Sequence, residues 1–333
     1  MISHGKIAMR PSRRRIVEGL SALGMAAAAS ALAQPALSPP VSSTPAEPQI
    51  EGGDDPSRAT TARNDALQIV TAVSLNGKGP YKFLVDTGAN RSCIAQSLVP
   101  RLGLPLGEDV AVHSMAGVRI RRSVVLDRLE VAGKTQRRVR APVLPLSGSH
   151  FDGVLGIDWL KGRRLVLGFK DQSLEITKPV AETSGEGRVV VPARRRSGQL
   201  TMVDADVSGQ KISAMIDTGS QATVGNAALR RALPARKPTD QDRAERVQLA
   251  SVTGETFYGD LVYVPFLRLG GLTLGNVPVV FTEAHVFKLW ELTDTPALIL
   301  GMDLLSQFSS VALDFGRSTV RFDFANKPGE KAF

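Results

Sequence analysis

The sequence predicts an all-β protein made of two homologous lobes, and three observations carry that prediction. Aromatic residues are only 5% of the 333 residues, 31 glycines and 20 prolines punctuate the chain, and short alternating apolar runs dominate over long helical periodicities. The tripeptide Asp-Thr-Gly occurs twice, each time after an apolar strand-like run: Phe83-Leu84-Val85-Asp86-Thr87-Gly88-Ala89 and Ala214-Met215-Ile216-Asp217-Thr218-Gly219-Ser220. Further landmarks repeat in the same order around both copies. Helices are expected to be short and few, and a hydrophobic content of 43% fits a soluble globular protein with one large or two moderate domains.

At the N-terminus, Arg13, Arg14 and Arg15 precede an alanine-rich apolar stretch from Leu20 to Ala33 that ends in Ala31-Leu32-Ala33. This is the pattern of an export signal over residues 1–33, with small residues at the cleavage site. Ser12-Arg13-Arg14-Arg15-Ile16 resembles a twin-arginine signal, although Ile16 and Glu18 depart from the usual aromatic and lysine; a general secretion signal is the alternative. The expected location is exported, periplasmic or secreted. The apolar stretch is too short to cross a bilayer comfortably, so no stable membrane span is expected after signal removal.

Loss of residues 1–33 would lower the formal charge from +9 to +5. The remaining basic clusters, Arg137-Arg138-Val139-Arg140 and Arg194-Arg195-Arg196, have no interleaved aromatics to stack on bases. They read as solvated loops, and no nucleic-acid partner is expected. Cys93 is the only cysteine, which rules out an intramolecular disulfide, and with no histidine near it in sequence it reads as a small buried residue rather than a nucleophile.

Residues 34–65 are rich in Pro, Ser, Thr and acids, including Pro39-Pro40 and Gly52-Gly53-Asp54-Asp55, and are expected to form a disordered linker. A pro-segment is the alternative, but one that shielded paired carboxylates would bring cations, and this stretch brings Glu47, Glu51, Asp54 and Asp55. An N-terminal lobe is expected over 66–180 and a C-terminal lobe over 188–326, joined by a polar bridge that includes Gly185 and Gly187.

Within each lobe a turn-forming pair, Asn76-Gly77 or Ser208-Gly209, precedes the acid and predicts a β-hairpin. Downstream, Gly153-Val154-Leu155-Gly156-Ile157-Asp158-Trp159-Leu160 lines up with Leu298-Ile299-Leu300-Gly301-Met302-Asp303-Leu304-Leu305. The strings then converge again, Leu165 to Phe169 and Ser173 to Ile176 against Val311 to Phe315 and Ser318 to Phe322. The chain is a divergent internal duplication. Its second copy is longer mainly around Lys237 to Glu245 and Thr282 to Thr295, where surface loops are expected.

Two Asp-Thr-Gly segments, each followed by an apolar-apolar-Gly segment, resemble the retropepsin-like aspartic proteases over nearly everything after about residue 65. The resemblance implies two β-barrel lobes in one chain and an aspartic endopeptidase in which Asp86 and Asp217 are the catalytic pair. Two carboxylates close enough to share a proton would hold a water between them, the ionised acid accepting its proton and the protonated one stabilising the oxyanion. Such a site needs no cofactor and no metal, and its partner is a peptide or protein substrate.

The same resemblance assigns supporting roles. Thr87 and Thr218 would hydrogen-bond across the lobe interface, and Gly88 and Gly219 would allow close approach and offer amides to the carboxylates. Ser220 could donate to its carboxylate where Ala89 cannot, which would make the acids unequal. Val154-Leu155-Gly156 and Leu298-Ile299-Leu300-Gly301 would pack beneath the acid loops, with Ile157 and Met302 standing where retroviral members commonly carry arginine. Asp158 and Asp303 are expected to cap the short helices that follow them.

Two hairpins, Ser114-Met115-Ala116-Gly117 and Ser251-Val252-Thr253-Gly254, are either substrate-covering flaps with Gly117 and Gly254 at their tips or ordinary surface hairpins. Neither contains a flap tyrosine, so closure by two flaps, as in the retroviral proteases, is expected. A catalytically silent peptide-binding module of the same fold is the alternative to the enzyme, and an envelope protein binding anionic polymers through its basic clusters is a third reading. His4, His113, His150 and His285 show no zinc-ligand spacing, and there is no Gly-x-Ser-x-Gly elbow.

Overall fold

Period-two burial defines the strands. In Ile69–Leu75, residues Ile69, Thr71, Val73 and Leu75 are buried while Ala72 is exposed, as a pleated strand with one face on a core requires. The computed structural model describes residues 50–51, 57–63, 68–146, 150–160, 162–196, 198–202, 204–234, 245–251 and 254–324. The export signal expected over 1–33 and most of the linker expected over 34–65 lie outside them.

The first lobe comprises β1 (Ile50–Glu51), β2 (Ser57–Arg63), β3 (Ile69–Leu75), β4 (Lys78–Val85), β5 (Cys93–Ala95), α1 (Leu98–Leu102), β6 (Asp109–Ser114), β7 (Gly117–Val131), β8 (Lys134–Leu144), β9 (Gly153–Leu155), a 3-10 turn (Ile157–Leu160), β10 (Arg164–Gly168) and β11 (Ser173–Thr177). The second comprises β12 (Arg188–Arg196), β13 (Gln199–Met202), β14 (Ala205–Val207), β15 (Gln210–Lys211), β16 (Ser213–Ile216), β17 (Val224–Gly225), α2 (Ala227–Ala232), β18 (Glu245–Ala250), β19 (Thr256–Leu269), β20 (Leu272–Phe281), α3 (His285–Leu289), β21 (Ala297–Leu300), α4 (Met302–Leu305), β22 (Ser310–Asp314) and β23 (Thr319–Asp323).

Each lobe closes on itself. In the first, pairing runs β3 to β4, β9, β5, β8, β7 and back to β3. In the second it runs β16 to β21, β17, β20, β19 and β14, which continues β13, itself paired with β16. Closure leaves few free edges and buries one side of the closing strands against a barrel core, while β6 and β18 project from it. The protein is therefore all-β, two retropepsin-like lobes with few short helices. The hairpin turns read from the sequence are present, with Asn76 and Gly77 at φ 50° and 75° and Ser208 and Gly209 at φ 50° and 87°.

A six-stranded antiparallel sheet joins the lobes, in the order β2, β11, β10, β22, β23, β12. Its centre is the pairing of β10 with β22, where Val166 faces Ala312, so equivalent strands of the two copies meet about an approximate dyad. The linker expected over 34–65 is corrected here, because Ser57–Arg63 is a strand of this sheet. Its Ser-Arg-Ala-Thr-Thr-Ala-Arg sequence carries no apolar alternation; it is ordered by backbone pairing, with Ser57 to Thr60 on β11 and Thr61 to Arg63 on β3.

Candidate active site

The two acids follow directly from the ends of β4 and β16. Each loop is held by the same bonds. The Asp86 amide donates to Leu155 O at 3.0 Å and the Asp217 amide to Leu300 O at 3.1 Å. The amides of Gly88 and Ala89 donate to Asp86 Oδ1 at 2.8 and 3.0 Å, and those of Gly219 and Ser220 to Asp217 Oδ1 at 2.8 and 3.2 Å. Every acid thus receives two N–H donors from its own loop.

The loops meet across the lobe interface through their threonines. The Thr87 amide donates to Thr218 Oγ1 at 3.1 Å and the Thr218 amide to Thr87 Oγ1 at 3.1 Å. The hydroxyls pass on into the opposite strands, Thr87 Oγ1 to Ile216 O at 2.9 Å and Thr218 Oγ1 to Val85 O at 2.6 Å. All of these groups are buried. The approach is close enough that a methyl placed on Gly88 would stand 2.5 Å from Asp217 Cγ, and one on Gly219 would stand 2.5 Å from Asp86 Cγ. Only glycine fits there.

Asp86 and Asp217 consequently lie within hydrogen-bonding reach of each other and are both buried. Burial raises the Asp86 carboxyl well above the ordinary range, and the charge of Asp217 and the bond to it push it further up. Burial also raises Asp217, while its bonds with Asp86 and with the loop amides hold it back. The carboxyls titrate as one unit, raised together by burial.

Beneath each loop runs the apolar-Gly landmark. A Cβ on Gly156 would meet Arg91 C at 2.6 Å, and one on Gly301 would meet Ala222 C and O at 2.4 Å, so strand and loop are in backbone contact at both places. Ile157 and Met302, where arginine stands in retroviral members, are buried in the core.

Two sequence expectations are corrected. The Ser220 hydroxyl donates to Ala222 O at 2.8 Å instead of to its carboxylate, because that carbonyl lies two residues away in the same turn; Ser220 supports Asp217 through its amide, as Ala89 supports Asp86. Asp158 and Asp303 sit in the first turns of their short helices, where Asp303 Oδ1 accepts from the adjacent Leu304 amide at 2.8 Å, but their main partners are in the acid loops. Asp158 accepts from the Ser92 amide at 3.0 Å and hydroxyl at 2.8 Å, and Asp303 from the Thr223 amide at 2.9 Å and hydroxyl at 2.7 Å. Those hydroxyls accept in turn from the Gly156 and Gly301 amides at 3.1 and 3.2 Å.

Ser92 and Thr223 are the residues sequence reasoning missed. Each follows its acid at the same interval, a signal present in both copies. Gln199 was missed as well; buried on β13, it reaches across the interface to donate to Gly88 O at 2.9 Å and Asn90 Oδ1 at 3.0 Å. In the first lobe Gln68 holds the matching register position and lines the cleft. Cys93 is buried, and burial raises its thiol, which keeps it protonated.

Above the acids lies a cleft of about 300 Å³ that both candidate hairpins line, the first through His113, Ser114 and Met115 and the second through Ala250, Ser251 and Phe257. Gly117 (φ 144°) and Gly254 (φ 94°) lie in the two hairpin turns; Val252 and Thr253 are outside the described residues. The hairpins are tied by an Arg119 Nε to Glu255 Oε1 ion pair of 2.7 Å.

A family model described as aspartyl protease matches residues 71–159 and 203–304, together more than half of the chain. The chain belongs to the retropepsin-like aspartyl protease family. Both matched regions contain an Asp-Thr-Gly loop, a cleft hairpin and an apolar-Gly landmark of this aspartyl protease family member, whereas β10, β11, β22 and β23 of its central sheet fall outside them. A comparison with curated proteins returned no match. Among the described residues, no helix is long and apolar enough to cross a membrane.

Proposed function

We propose that this protein is an exported aspartic endopeptidase whose catalytic residues are Asp86 and Asp217. The observation that carries the reading is the pair itself: two buried carboxyls in mutual hydrogen-bonding reach at the floor of one cleft. Ionising both at that separation is unfavourable, so one proton stays with the pair over a wide pH range. A water held between them gives a proton to the ionised acid as its oxygen attacks the peptide carbonyl carbon; the protonated acid gives its proton to the carbonyl oxygen. Collapse of the resulting diol breaks the C–N bond, with the departing nitrogen taking back a proton from the pair. Burial raises both carboxyls, so the pair holds one proton at rest, and whichever acid is ionised serves as the base.

A peptide substrate fits an open cleft roofed by two strand hairpins, and the N-terminal signal pattern supports an exported location. The test is cleavage of a peptide library by Asp86→Asn and Asp217→Asn separately, with near-UV circular dichroism as the folding control. Loss of cleavage in both folded variants is expected, with wild-type cleavage declining as pH rises through the upper titration of the pair. Retained cleavage in either variant overturns the shared-site reading; inactive wild-type protein that still binds peptides would leave a silent binding module.

A further inference from the structure

The two copies of the duplication are closely matched at the acid loops and differ above them. The second copy carries an extra segment, Thr282 to Thr295, that holds α3, and this helix touches the hairpin of the opposite lobe. The His285 amide donates to Met115 O at 2.8 Å, and Met115 packs on the apolar cluster that contains Val286, Phe287 and Trp290. Beside that bond, His113 Nδ1 and His285 Nε2 stand 3.0 Å apart, with ring centroids 5.2 Å apart and planes inclined by 20°. A centroid separation that large at so short an N···N distance means the rings point end to end, so one nitrogen donates to the other.

We propose that His285 is a positioning residue that latches the first hairpin closed over the carboxylate pair, and that protonation of the His113–His285 couple releases it. Once both outer nitrogens are protonated, one proton still fits between the facing nitrogens; a second would place two cations 3.0 Å apart and break the bond. Lys288 adds to that penalty. It lies on the same helix and acts directly on His285, whereas Arg119 on β7 is neutralised by its ion pair with Glu255, and Arg196 donates to the carbonyls of Trp290 and Glu291 at the far end of α3. Of the acids, Glu283 is exposed, Asp109 stands at the other end of β6, and Glu255 of the second hairpin is taken up by Arg119. Burial, His113 and Lys288 all lower the His285 titration.

The sign follows. The latched hairpin binds fewer protons than a released one, because the penalty on the second proton exists only while the rings face each other; the window is that of an unperturbed imidazole, about pH 6.5. Latching is favoured above that range and lost as pH falls through it. A cleft that opens on acidification would admit substrate under the conditions in which the carboxyl pair keeps its proton.

Amide hydrogen exchange across residues 109–122 and 284–290, corrected for intrinsic rates, reads the latch without turnover. In the full chain, protection of the hairpin is expected to fall roughly three- to tenfold, the weight of one hydrogen bond, between about pH 7.5 and about pH 5. His285→Phe keeps the backbone bond and removes the ring nitrogens, and His113→Phe, on an exposed strand position, guards against a folding artefact. Both are expected to show low protection that no longer depends on pH. Equal protection at both pH values, or wild-type behaviour in both variants, overturns the latch.

The kinetic consequence rests on the endopeptidase reading: each variant should shift KM for a peptide and flatten its pH dependence, with kcat within roughly twofold. A change in kcat alone overturns the positioning role. Should no peptide be cleaved, exchange still decides the latch, whereas the aspartate variants decide the function.

Discussion

Replacing Thr218 with valine keeps the side-chain shape and removes only its hydroxyl, which isolates the polar lock between the acid loops. The hydroxyl donates to Val85 O at 2.6 Å and accepts from the Thr87 amide at 3.1 Å, and both bonds are buried. The substitution therefore orphans one carbonyl and one amide where water cannot replace the partner. At about 1–3 kcal/mol for each buried group left unsatisfied, the expected loss is roughly 2–6 kcal/mol, a large part of the 5–15 kcal/mol typical of a whole domain. Thr218→Ser, which keeps the oxygen and gives up a methyl, should lose only about 1 kcal/mol. Urea unfolding of the three proteins measures the difference. A valine variant within about 0.5 kcal/mol of wild type would refute the claim that these bonds hold the lobes in register.

The carboxyl pair makes a pH prediction with a definite sign. Burial raises both groups, so their contribution to stability is fully present below the unfolded aspartate value of about 3.9 and is lost as pH rises through the folded values. Asp86→Asn, which keeps an oxygen for the Gly88 and Ala89 amides, should thus resist urea better than wild type at neutral pH and equally near pH 3; a variant less stable at neutral pH would contradict the argument. Ser92→Ala and Thr223→Val should each cost roughly 2–4 kcal/mol in the same assay, since each leaves a buried glycine amide and a carboxylate short of a partner. Gly301→Ala should lower thermal stability by the equivalent of about 3 kcal/mol or more, because its Cβ would meet Ala222 backbone at 2.4 Å. Gly271→Ala, with open space around it, should be close to neutral, and similar melting temperatures for the two would argue against the loop-to-strand contact.

The duplication was readable because Asp-Thr-Gly, the hairpin turns and the apolar-Gly strands obey local rules: φ above zero at the turns, close approach at the glycines, alternation in the strands. β2 escaped because its order comes from backbone pairing, its first half with β11 and its second with β3, and its sequence has no apolar alternation. The turning of Asp158 and Asp303 toward Ser92 and Thr223 escaped for a related reason. A carboxylate at the start of a helix has a local use as a cap, and only the folded approach of a distant loop offers it a better one. The Ser220 hydroxyl reversed the same way, captured by the nearby Ala222 carbonyl, so the difference between Ala89 and Ser220 does not reach the carboxylates.

Two loops this alike cannot by themselves give the pair a direction. Each acid receives two amides at nearly equal distances, each threonine makes the mirror-image bonds, and each glycine stands against the opposite carboxylate. The dyad therefore survives at the floor of the cleft, where proton sharing requires near-equivalence: a pair biased strongly toward one acid would hold its proton too firmly to exchange roles during a turnover. Divergence has gone instead to positions that touch the acids only through other groups. Gln199 steadies the Gly88 carbonyl, and α3 exists in one copy and holds the hairpin of the other through His285. A chain that carries both halves can refine one roof without disturbing the other, which a site assembled from two identical subunits cannot do, because every substitution there appears twice. The asymmetry that matters in this molecule is thus in how the cleft is covered, and the symmetry that matters is in what lies beneath.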